Sequence, residues 1–186
     1  LACHRRPFTR PPSRCNKCTL EYLWSGLLNL EKEEDYIGST AALLFSDLLK
    51  LIRPPHDRPY RLKTSTQKQV IATLRDWGLL DVTARILLRL GSTQNDFLVL
   101  RKITLFYSEL ASTVPKSELA HYFRDCVPTW KKFNSYLTIL GNLPVISSKT
   151  PHMYFDMCTT TWNHISASLG LALATRDHFG EDCYSS

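Results

Sequence analysis

The 186-residue chain reads as all-α: a compact bundle of about seven or eight helices with an extended basic arm at its N-terminus. Three observations predict this. From Thr19 onward, apolar residues recur at helical spacing in one segment after another. No alternation of strand-like and helical segments runs along the chain, which disfavours an α/β nucleotide fold. The first 18 residues hold Arg5, Arg6, Arg10, Arg14 and Lys17 with no acid, and Pro7, Pro11 and Pro12 oppose helix there.

That arm, residues 1–18, spans roughly 60 Å when fully extended. Leu1 stands where methionine would begin an unprocessed chain, so a processed or trimmed polypeptide is expected and the compartment cannot be read from this end. The helical domain occupies 19–180. Its first helix carries Leu20, Tyr22, Leu23, Trp24, Leu27, Leu28 and Leu30. A second aligns Ile37, Ala41, Leu44, Phe45, Leu48 and Ile52 on one face, with Gly38 splitting the two helices and Ser39 or Thr40 as N-cap. Arg53-Pro54-Pro55 ends it and opens a Pro-rich basic connector over 53–63.

A third helix is expected from Thr64–Thr66, with Gln67, Val70, Ile71, Leu74 and Trp77 on one face and Gly78 at its end. Asp81 is read as the cap of a fourth helix running to Gly91, on which Asp81, Arg85 and Arg89 form a polar stripe. Thr93 or Asn95 opens a fifth, Phe97–Leu110, apolar on most sides and so expected at the centre of the bundle. Pro115 opens a sixth, with Leu119, Tyr122, Phe123 and Cys126 inward. A seventh covers Thr129–Leu140 with Trp130, Phe133, Leu137 and Leu140 inward and Gly141 at its end. Residues 142–158, with Pro144 and Pro151, are expected to be non-helical or partly extended. The last helix is expected from Thr159–Thr161 to about Arg176, with Ser166, Ala167, Ser168, Gly170 and Ala172 permitting close packing. Residues 181–186 form a loose tail. Short loops make sequence neighbours antiparallel, and no fixed repeat period supports a solenoid.

The net charge of +6 is uneven. Residues 1–18 contribute +5 and residues 50–68 another +5, leaving the rest at −4, with an acidic knot at Glu31–Asp35. The protein is therefore a slightly acidic body with two cationic segments. No run approaches the ~18 apolar residues of a membrane span, since Ser46, Asp47 and Lys50 interrupt the best candidate.

Six cysteines stand at 3, 15, 18, 126, 158 and 183. No Asn-x-Ser/Thr sequon accompanies them, and a chain this long can build a core without disulfides. Reduced thiols in an intracellular, reducing compartment or an organelle matrix such as that of mitochondria are expected. Cys15-x-x-Cys18 is half of a zinc knuckle, which Cys3 or His4 would have to complete. Adjacent side chains point apart and no second spaced pair follows, so free thiols are the simpler reading and no cofactor is expected.

None of the six histidines sits in a metalloprotease-type motif, no Gly-rich phosphate loop occurs, and His121 beside Glu118 and Asp125 reads as a solvated charge cluster. His178, Glu181, Asp182 and Cys183 crowd the tail, where a nucleophile would lack a fixed base. Trp24, Trp77, Trp130 and Trp162 fall on apolar faces and read as core.

These features point to a non-enzymatic subunit or adaptor of a larger assembly. Its helical surface would dock on a protein partner, and its arm would thread along that partner's acidic surface. The alternative is RNA binding through Arg5, Arg6, Arg10, Arg14, Lys17, Arg53, Arg58, Arg61 and Lys63, aided by zinc at Cys15 and Cys18. A third reading, a small enzyme whose site leaves no motif, rests on no particular residue.

Overall fold

Seven α-helices and no strand make up the described part of the computed structural model, which covers residues 21, 25, 34–52, 64–90, 93–141 and 150–171. In chain order they are α1 (Glu34–Ile52), α2 (Thr64–Asp76), α3 (Leu79–Arg89), α4 (Gln94–Thr113), α5 (Lys116–Tyr122), α6 (Val127–Gly141) and α7 (Thr150–Leu169). A 3-10 turn, Arg124–Cys126, joins α5 to α6. The all-α bundle expected from the periodicity is the observed architecture. No helix among the described residues is long and apolar enough to cross a membrane. The arm, the helix expected at Leu20–Leu30 apart from Glu21 and Ser25, the connector 53–63 and the tail lie outside the described residues.

The apolar stripe of α1 is buried at every expected position, from Ile37 through Ala41, Leu44, Phe45 and Leu48 to Ile52. The helix runs unbroken through Gly38, Ser39 and Thr40, so neither residue 39 nor 40 is an N-cap. Burial on both sides of Gly38 outweighs its helix cost of about 1 kcal/mol.

In α3 the cap also differs from expectation. Gly78, at φ 65°, precedes Leu79 as the N-cap, and Asp81 lies inside the first turn without capping it. Only glycine adopts that left-handed backbone cheaply. Asp81 still favours the helix by placing a negative charge near its N-terminus.

The start of α4 follows the sequence closely. Thr93 Oγ1 accepts from the Asp96 backbone N–H, while the Asp96 carboxylate accepts from the Thr93 N–H at 2.9 Å and its hydroxyl at 2.6 Å. This reciprocal capping box satisfies donors that would otherwise be orphaned at the helix end. α4 is the centre of the bundle, packed along α1 on one side and α7 on the other. Phe45 of α1 meets Phe106 and Tyr107 of α4 edge-on or tilted, at ring separations of 5.6 and 6.5 Å.

The contacts fix the helix directions. Gly38 faces Asp96, the Ala42 carbonyl accepts from Lys102 Nζ, and Phe45 meets Phe106, so α1 and α4 run parallel. α3 and α4, neighbours in sequence, run antiparallel: Thr83 meets Tyr107, and Leu90 approaches Gly38 where Gly38 faces the start of α4.

The largest departure from expectation is α7. It begins at Thr150, roughly ten residues before the expected start, and the segment 150–158 is helical, not extended. Pro151 falls in the first turn, where a missing N–H breaks no helical hydrogen bond. Tyr154, Cys158, Trp162, Ile165 and Leu169 then form a continuous buried face. α7 ends at Leu169, Gly170 follows at φ 69° and Leu171 is again helical, and the rest of the helix expected to run to Arg176 lies outside the described residues. Ser166, Ser168 and Gly170 are buried as close packing requires, whereas Ala167 faces solvent.

Candidate functional site

α3 and α6 lie side by side without closing on each other, and an open groove of about 760 Å³ runs between them. Its apolar lining comes from Ala84 and Leu88 of α3 and from Phe133, Tyr136 and Ile139 of α6. Asp81 and Arg85 of α3 and Thr129, Lys132 and Ser135 of α6 complete the lining. The lining positions repeat at helical intervals on each wall, so each helix contributes one straight ridge. Leu88, Tyr136 and Ile139 are 43%, 46% and 61% exposed. Half of the large exposed hydrophobic side chains of the described residues thus meet in one groove.

The chain matches no protein family, no curated protein and no solved structure.

Three buried or half-buried polar clusters invite a catalytic reading, and each is better explained by packing. The first joins α4 to α7: Ser108 Oγ lies 2.7 Å from His164 Nε2. The same hydroxyl donates to the Thr104 carbonyl at 2.9 Å, so the imidazole N–H donates to Ser108. That is the reverse of a serine activated by a histidine base. No carboxylate orients His164 among the described residues, and the backbone amides around mid-helix Ser108 are committed to the helix.

The second cluster joins α3 to α4. Thr83 Oγ1 donates to the Leu79 carbonyl at 2.7 Å, so the Tyr107 hydroxyl donates to Thr83 across 3.0 Å. Burial pushes the Tyr107 phenol well above its ordinary value, which keeps it a neutral donor. The third joins α3 to α7: the Tyr154 hydroxyl donates to the Leu87 carbonyl, and the Cys158 thiol lies 3.7 Å from the same oxygen. Burial pushes the Cys158 thiol up to about 11, so it is not a thiolate nucleophile at neutral pH.

Cys126 and Cys158 are both free thiols. Among the described residues no three His, Cys, Asp or Glu side chains stand close enough to hold a metal ion. His121 and Asp125 are exposed and Glu118 half-buried, as expected of a solvated cluster. Trp162 is fully buried and packs edge-on against Phe133 at 4.5 Å, while Trp77 and Trp130 are half-buried. Of the aromatic core expected from the sequence, Trp24 lies outside the described residues, as does the cluster at His178–Cys183.

The nominated binding residues Arg5, Arg6, Arg10, Arg14, Lys17, Arg53, Arg58, Arg61 and Lys63, and the nominated metal ligands Cys3, His4, Cys15 and Cys18, also lie outside the described residues. The groove itself was not among the expected sites. Its signal in the sequence is an apolar arc on α6 wider than one buried face needs, since Tyr136 and Ile139 flank the buried Leu137.

Proposed function

We propose that this protein is a non-enzymatic helical subunit or adaptor of a larger assembly. It docks through the groove between α3 and α6 and threads its cationic N-terminal arm along the same partner. The observation that carries this reading is the convergence of Leu88, Tyr136 and Ile139, each more than two-fifths exposed, on one open groove. Among the described residues 33 hydrophobic side chains are buried, so the fold has the means to cover three more, and leaving them together favours a surface built to be covered by another molecule. The buried polar groups support a structural role, because every clear cluster is explained by helix-to-helix hydrogen bonding.

The test is native purification from the source cells with limited proteolysis. In the assembly, residues 1–18 resist protease, and stripping the partner exposes them. A chain that purifies as a monomer with no stable partner overturns the reading. Binding to RNA that weakens steeply with salt, and is lost when Arg5, Arg6, Arg10 and Arg14 become alanine, would assign the arm to nucleic acid instead.

A further inference from the structure

We draw no further inference here: the strongest candidate, the open groove between α3 and α6 on which Leu88, Tyr136 and Ile139 stand exposed, carries nothing beyond the docking role proposed above, because nothing in the structure shows what covers it.

Discussion

At the scale of single residues, the polar groups of the interior are decided by who donates to whom. Tyr107 is fully buried, and its hydroxyl is tied to Thr83, which in turn holds the Leu79 carbonyl. Tyr107→Phe removes one hydrogen bond while leaving Thr83 its carbonyl partner, so urea denaturation should show a loss of about 1 kcal/mol. Cys158 gives a pH prediction. Its thiol titrates near 9 in an open chain, and burial pushes it up to about 11 in the fold. Between those values the unfolded chain releases a proton that the folded chain keeps. Stability is therefore retained below about pH 9 and falls as pH rises through about 11. Tyr107 and Tyr154, both raised by burial, push in the same direction. Urea midpoints at pH 7, 9 and 11 should show the fall, and Cys158→Ala should remove the thiol's share of it while leaving that of the two tyrosines.

At the scale of elements, the ends of the helices carry most of the information that the periodicity lacks. Gly170 closes α7 with φ 69°, and a methyl group there would lie 3.2 Å from both Ala120 Cβ and the Lys116 carbonyl oxygen. Gly170→Ala combines a strained backbone with a close contact against α5, and about 1–3 kcal/mol should be lost. The midpoint of thermal unfolding would drop by several degrees. The stripe of α1 was fully legible because six buried residues fall at one helical spacing and nothing competes with it. The start of α7 was not, because Pro151 reads as a breaker until its place in the first turn is known. The cap of α3 was misread for a related reason. Asp81 has the right chemistry for a cap, but the left-handed Gly78 had already begun the helix, and a backbone angle is invisible in composition.

At the scale of the whole molecule, the groove is the feature that the sequence conceals. Tyr136 and Ile139 are ordinary apolar residues of an amphipathic helix, and whether they end up covered depends on how far α6 stands from α3. α6 is held against α7 by contacts such as Phe133 on Trp162, which a one-dimensional pattern does not encode. The basic segments were legible as charge, since counting needs no structure. Because Ile139 is 61% exposed, Ile139→Glu should change the unfolding free energy by no more than about 0.5 kcal/mol, measured by urea denaturation of the purified chain. The same substitution should release the protein from its native assembly, and that contrast separates a docking residue from a core residue.

The parallel run of α1 and α4 has a consequence for how the chain is made. Lys102 reaches Ala42 across 60 positions of sequence, Ser108 meets His164 across 56, and Tyr154 meets Leu87 across 67. Among the described residues, the most extensive helix packing, α1 on α4 and α4 on α7, thus joins helices distant in sequence. During synthesis the packing of α1 on α4 must wait until α2, α3 and α4 have emerged. A protein with this wiring should fold more slowly than an up-and-down bundle of equal length. In the cell, that delay is the interval in which a chaperone would find it.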